Sequence, residues 1–297
     1  MKDTLNGNII PALLTPYTKT GALNKESLKK HIEVLIGQGV AGFYLNGTTG
    51  EGLLLDEEER MEAVVTAAEA INKRAKLIVQ VGSLSTKCSQ RMAAHAAKNG
   101  ADAVSSLPPL YFKYTFDQIK EHYIKIAESA GIPMIVYNIP SYSGVPMSVE
   151  QLKTLAEHPL IKGIKHSSPN VYELERFKAN VPEMTVYYGM DEQYLAGRIM
   201  GADAFIGSTY NVMTPIYKKL EKAYVDGNKD DMKTYTTLLN GFTSDLIKAD
   251  IMPALKYIIE TKLGIEFNGC RTPLANELTA EGKAIADNVY SRMEKYL

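Results

Sequence analysis

Short apolar runs alternate along the chain with longer segments in which apolar residues recur every three or four positions. The runs 9–14, 42–45, 77–81, 103–106, 134–137, 160–165, 184–188 and 203–206 have the length and composition of buried strands. Between them, 25–38, 56–71, 86–99, 116–129, 148–158, 171–179 and 191–201 carry helical spacing, and a further helix is expected from about Pro215. Leu28, His31, Ile32, Leu35 and Ile36 form one such apolar face behind Asn24, a good helix N-cap. Eight strand–helix units at a spacing of roughly 20 to 35 residues predict a parallel sheet, and eight is the number that closes a (β/α)8 TIM barrel. An open doubly wound sheet is the competing architecture, but it usually has fewer strands, and no G-x-G-x-x-G follows the first run. Beyond residue 226 the strand signals stop, and 231–246, 251–262 and 279–296 read as three amphipathic helices. No linker rich in Pro, Gly or Ser precedes them. The expected organisation is a barrel over 1–225 with a helical extension, 226–297, packed on it.

Composition narrows the function classes. A hydrophobic content of 45% and a charged content of 23% are those of a globular protein with a sizeable core. With 33 basic against 34 acidic residues, the net charge of -1 gives no footing for nucleic acid or an anionic membrane surface. Two cysteines, Cys88 and Cys270, do not make a disulfide framework and point to a reducing compartment, the cytoplasm. No run approaches 18 apolar residues, and residues 1–8 lack the apolar region of a secretory leader.

In a barrel of this kind the active site lies at the C-terminal ends of the strands and in the loops that follow. The second strand delivers Thr48, Thr49, Gly50 and Glu51 there, the fourth Tyr111, and the fifth Tyr137. The sixth delivers Lys165, His166 and Ser167, the seventh Gly189, Asp191 and Glu192, and the eighth Gly207, Ser208 and Thr209. Alternation along the sixth strand sets Ile161, Gly163 and Lys165 on one face, with Lys162 and Ile164 on the other. An amine held at the end of an apolar strand loses hydration as an ammonium, which favours the neutral, nucleophilic form. A lysine snorkelling to solvent is the alternative reading of the same stretch. The five histidines are scattered without ligand spacing, so no metal is expected, and neither a G-x-S-x-G elbow nor a P-loop is present. What remains is covalent attack by Lys165 on a ketone, with a tyrosine moving protons and no cofactor. Thr48 and Thr49 suit either an anion nest or an ordinary turn beside glycines. Asp191 reads as a helix N-cap whose oxygens can also face the cleft, and Glu192 as a first-turn acid.

Four motifs then carry a resemblance. Gly47-Thr48-Thr49-Gly50-Glu51, Tyr137-Asn138-Ile139-Pro140, Gly163-Ile164-Lys165 and Gly207-Ser208-Thr209-Tyr210-Asn211, in that order, resemble the dihydrodipicolinate synthase/N-acetylneuraminate lyase family from about Leu5 to past Asn211. The resemblance implies a (β/α)8 class I aldolase with Lys165 as Schiff-base lysine, Tyr137 as proton shuttle, and Thr48 and Thr49 on the pyruvate carboxylate. It implies that Tyr111 reaches toward a neighbouring subunit, and hence a homotetramer. Ser167, Gly189, Asp191, Glu192, Gly207 and Ser208 correspond to the sugar side of the site. Two departures stand out: His166-Ser167-Ser168-Pro169 after the lysine, and Pro108 where threonine is usual. Synthases of the family also carry an arginine two residues after the Tyr-Asn-x-Pro proline, and here that position is Tyr142. An incoming aldehyde carboxylate would lose a charge-assisted pair, about 2 kcal/mol or more. Acceptor groups at 189–192 and 208 suit sugar hydroxyls instead. The expected substrate is N-acetylneuraminate, cleaved to N-acetylmannosamine and pyruvate; condensation of pyruvate with aspartate semialdehyde or another aldehyde is the alternative.

Overall fold

Two sets of apolar side chains, alternating along each strand, organise the molecule. One set, including Ile10, Tyr44, Ile78, Ile135, Tyr137, Tyr187 and Ile206, forms a core of its own. The other, including Ile9, Phe43, Val79, Val104, Val136, Ile164, Val186 and Phe205, packs with the helices. Such alternation, apolar on both faces, is what strands buried between a filled lumen and a helical coat require. The structure, a computed structural model, describes residues 8–297. The reading of the N-terminus as free of a leader falls largely on residues 1–7, outside the described residues.

The strands are β1 (Asn8–Pro11), β2 (Gly42–Leu45), β3 (Lys76–Gln80), β4 (Ala103–Ser106), β5 (Met134–Asn138), β6 (Ile161–His166), β7 (Thr185–Tyr188) and β8 (Ala204–Gly207). All pair in parallel in the order β1-β8-β7-β6-β5-β4-β3-β2. The ends of that order meet where the Leu13 N–H donates to the Tyr44 carbonyl at 2.9 Å beside an Ala12–Tyr44 bridge. The sheet thus closes as a (β/α)8 barrel, and the open-sheet alternative falls. Helices α1 (Lys25–Gly37), α2 (Glu57–Ile71), α3 (Thr86–Lys98) and α4 (Phe116–Ala130) cover the first half. A short α5 (Pro140–Ser143), α6 (Val149–Ala156), α7 (Val171–Asn180), α8 (Tyr194–Ile199) and α9 (Tyr210–Val225) cover the second.

Three local differences from the sequence pattern have physical causes. In β6, Met134 of β5 faces Ile161 while the next residue, Ile135, faces Gly163, so Lys162 is the extra residue of a bulge. Ile161 is thereby turned into the helix-side core, off the face of Lys165. Helix α9 opens at Tyr210, five positions before Pro215, because Thr209 at its cap is held by a carboxylate from another loop. The segment 191–201 is split into a single 3-10 turn, Asp191–Gln193, and α8.

Past the barrel, α10 (Lys229–Lys248) packs on α9, and α11 (Ile251–Leu263) and α12 (Ala280–Met293) pack on α10 and on each other. Phe242, Leu246, Leu255, Ile259, Val289 and Met293 are continuous with the helix-side core of the barrel. No helix among the described residues is long and apolar enough to cross a membrane.

Candidate active site

Lys165 stands near the C-terminal end of β6, in register with Tyr137 of β5 on one side and Tyr187 of β7 on the other. All three belong to the lumen face. A side chain at Gly163, one lumen position below, would press on the Thr185 carbonyl and the Tyr187 ring, so glycine is what lets β6 and β7 pack closely beneath the lysine. Lys165 is buried at 5% exposure, too low for a snorkelling side chain. Its Nζ lies 3.7 Å from the Tyr137 ring centroid and 4.8 Å from that of Tyr44. The two rings meet edge to face with centroids 5.9 Å apart, and the Tyr44 hydroxyl donates to Ser105 Oγ at 3.1 Å. The two aromatic rings make a dry, oriented setting for the amine.

The Tyr137 hydroxyl faces Thr48 Oγ1 at 3.4 Å. Burial pushes the Tyr137 phenol up, but the Lys165 cation, with hydrogen bonding from Lys165, Thr48 and Ser167, outweighs it and leaves the phenol more acidic than usual. Ser167 Oγ is close enough to contribute yet is buried without a well-formed bond, a hydroxyl free for another partner. Thr48 is exposed and Thr49 half-buried, on a loop turned by Asn46 at φ 59°. The loop is fastened from below by the Thr15 hydroxyl, which donates to the Gly50 carbonyl at 2.5 Å.

On the opposite wall Asp191 opens the 3-10 turn instead of capping α8, which corrects its reading as an N-cap. Its Oδ2 accepts the Thr209 N–H and the Thr209 hydroxyl, each at 2.8 Å, with Ser208 Oγ at 3.4 Å. The carboxylate therefore serves the start of α9, where an anion is favoured by the helix dipole. Burial pushes the Asp191 carboxyl up to about 6, against the pull of Thr209. Gly189 and Gly207 are required by the site's own side chains. A methyl at Gly189 would collide with Ser167 Oγ, and one at Gly207 with the Asp191 carboxylate. Each glycine makes space for the chain's own polar group. Glu192 and Ser208 remain partly exposed beside them.

His166 points away from the lumen, against Phe177 and Tyr188, and accepts the Asn138 amide at 3.0 Å. Burial pushes its imidazole down to about 4, so it stays neutral as a packing residue. Tyr111 is not brought to the lysine within this chain. It is 89% exposed, holds φ 78°, and touches only the ring of Phe112 among the aromatic side chains. A cavity of about 640 Å³ lies apart from the site, between Lys19 and Gly21 on one side and Tyr257, Glu260 and Lys283 on the other. Among the described residues, no three His, Cys, Asp or Glu side chains are grouped to hold a metal.

Sequence reasoning missed Tyr44 and Ser105. Tyr44 had a signal, since alternation with Phe43 and Leu45 sends it alone of the three into the lumen. Thr209 was expected at this end of the barrel, but its bond to Asp191, 18 residues away on another loop, had no sequence signal.

Comparison with known proteins agrees with this geometry over nearly the whole chain. An N-acetylneuraminate lyase of Escherichia coli (strain SMS-3-5 / SECEC) is 36% identical over 293 residues, covering 97% of this chain and 98% of that protein. The structure of CdNal from Clostridium difficile in complex with mannosamine superposes with a TM-score of 0.92 at 31% identity, covering 98% and 99% of the two chains. The wild-type sialic acid aldolase of Ruminococcus gnavus gives a TM-score of 0.94 at 27% identity over 99% and 100%. The sequence profile described as "Dihydrodipicolinate synthetase family" matches residues 5–290, and the chain belongs to that family.

Proposed function

We propose that this protein is a Schiff-base aldolase that cleaves N-acetylneuraminate to N-acetylmannosamine and pyruvate. The observation that carries the reading is the buried Lys165 amine, framed by Tyr137 and Tyr44 at the C-terminal mouth of the barrel. The neutral amine attacks the C2 ketone of the open-chain sugar acid, and loss of water leaves a protonated imine. That cation is the electron sink for breaking C3–C4 as the C4 hydroxyl gives up its proton. The aldehyde leaves, the enamine takes a proton at C3, and hydrolysis frees pyruvate and the amine. Tyr137 relays the proton, a role supported by its acidified phenol and its link to Thr48. Thr48 and Thr49 receive the carboxylate of the pyruvate half. Ser167, Asp191, Glu192 and Ser208 line the sugar half, where Gly189 and Gly207 admit Ser167 and Asp191.

Tyr142, on α5, is 77% exposed and offers no cation to a second carboxylate. The exposed Tyr111, held at a positive φ, fits a residue that docks on a neighbouring copy, and a homotetramer in the cytoplasm completes the reading. Substrate preference tests it: kcat/KM for pyruvate release from N-acetylneuraminate is compared with that for condensation of pyruvate with aspartate semialdehyde. Faster condensation replaces the lyase reading with the synthase one. Borohydride added with pyruvate is expected to reduce one adduct onto Lys165; labelling at Lys162, or none, overturns the mechanism.

A further inference from the structure

Glu51 closes the Thr48–Thr49 loop in an unusual way. It holds φ 58°, a conformation that strains a residue with a side chain, and its carboxylate is wholly buried. One oxygen accepts Lys256 Nζ of α11 at 2.5 Å, and the other accepts the backbone N–H of Arg271 at 2.6 Å. Lys256 is as buried as its partner, also donates to the Gly269 carbonyl at 2.7 Å, and lies 4.4 Å from the Tyr17 ring centroid. Arg271 continues the fastening. Its guanidinium donates to the Leu54 carbonyl at 3.2 Å, to the Gly21 carbonyl at 2.7 Å, and to both oxygens of Glu59. The turn that carries the two threonines is thus tied to α11 and the segment after it, 205 positions along the chain.

A buried ion pair is a weak source of net stability, because desolvation of both charges offsets most of their attraction. What it does supply is direction: a carboxylate with both oxygens committed holds its own backbone in one place. We propose that Lys256, assisted by Arg271, is a positioning residue for the substrate carboxylate. It holds Glu51, and through Glu51 the hydroxyls and backbone N–H groups of the Thr48–Thr49 turn, at the height of the Lys165 amine. The C-terminal helices thereby belong to the binding site although none of their side chains enters the lumen core. This inference rests on the reading of the Thr48–Thr49 turn as the carboxylate site.

The test uses the full-length enzyme and the Lys256→Met variant, which keeps the stem and removes the amine. Loss of orientation is expected to raise the pyruvate concentration that half-saturates borohydride inactivation, and the KM for N-acetylneuraminate, by about tenfold. The kcat is expected to stay within about threefold, because the reacting groups are untouched. Thermal denaturation checks that the variant is folded. Should it not fold, the double variant Glu51→Gln with Lys256→Gln keeps the volume and removes both charges, and a KM rise of about threefold or more is expected. A folded variant with unchanged half-saturation, or with kcat lost and KM intact, overturns the proposal. Thr49→Val and Thr48→Val separate the two levels. If they raise KM while the Lys256 variants do not, positioning alone falls; if neither threonine matters, the carboxylate site falls and the inference with it.

Discussion

Replacing Tyr137 by Phe removes one oxygen atom and leaves the ring that frames Lys165. The side chain is 2% exposed, and its hydroxyl lies 3.4 Å from Thr48 and also faces Lys165 and Ser167. Water takes over the contact to exposed Thr48, while the contacts to buried Lys165 and Ser167 are lost at about 1 kcal/mol each, so folding stability should fall by about 1 to 2 kcal/mol. The ring still packs edge to face on Tyr44 and still presents its face to the amine. Catalysis should respond quite differently. The phenol is held more acidic than usual by the neighbouring cation, which suits a group that gives and takes a proton near neutrality. Loss of one general acid–base group lowers kcat by roughly 10²- to 10⁴-fold, or about 3 to 5.5 kcal/mol of transition-state stabilisation. Pyruvate should still form a trappable adduct on Lys165, more slowly. The assays are initial-rate pyruvate release, borohydride inactivation and a thermal melt of the same preparations. A kcat within about threefold of the parent would refute the proton-relay role, and a large loss of stability would show that the hydroxyl is structural.

Two further outcomes follow from the opposite wall. Burial raises the folded pKa of Asp191 from 3.8 to about 6, so its charge is lost as pH falls through about 6, and kcat/KM for N-acetylneuraminate should fall over the same window. For stability the sign is reversed: with the folded pKa above the unfolded one, the contribution is full below about 4 and is lost as pH rises through 6. Asp191→Asn should abolish that inflection in both the rate profile and the melting profile; its persistence would assign the titration elsewhere. Gly207→Ala drives a methyl into the Asp191 carboxylate and should pull it off Thr209. Sugar-acid cleavage is then expected to drop by on the order of 10²-fold while borohydride trapping of pyruvate survives; equal loss of both would mean that the barrel mouth as a whole had moved.

Period, punctuation and motif order were enough to read most of the architecture. Two-residue alternation within eight short runs, and three-to-four-residue spacing between them, are local properties, and closure follows from their number. The same alternation places Lys165 and Tyr137 on one surface, because neighbouring parallel strands carry their register across the sheet. The family was legible for a related reason: its motifs fall at strand ends, where the chain must present chemistry and turn within a few residues.

What the chain could not show by itself were the bonds between distant loops. The Lys162 bulge depends on how β5 and β6 pair, and it alone decides that Ile161 leaves the face of Lys165. Asp191 looks like a cap when its own helix is considered, yet its carboxylate is taken by Thr209 at the start of another. Nothing local shows that Gly189 and Gly207 are needed to make room for Ser167 and Asp191. Glu51 reads as the last residue of a turn motif, and Lys256 as a lysine on an amphipathic helix. Only the folded chain excludes water from both and leaves each as the other's charged partner. Local pattern determines which faces are buried; which polar groups then meet in that buried space is decided by closure of the barrel and docking of the C-terminal helices, because a desolvated charge must find its partner wherever the fold provides one.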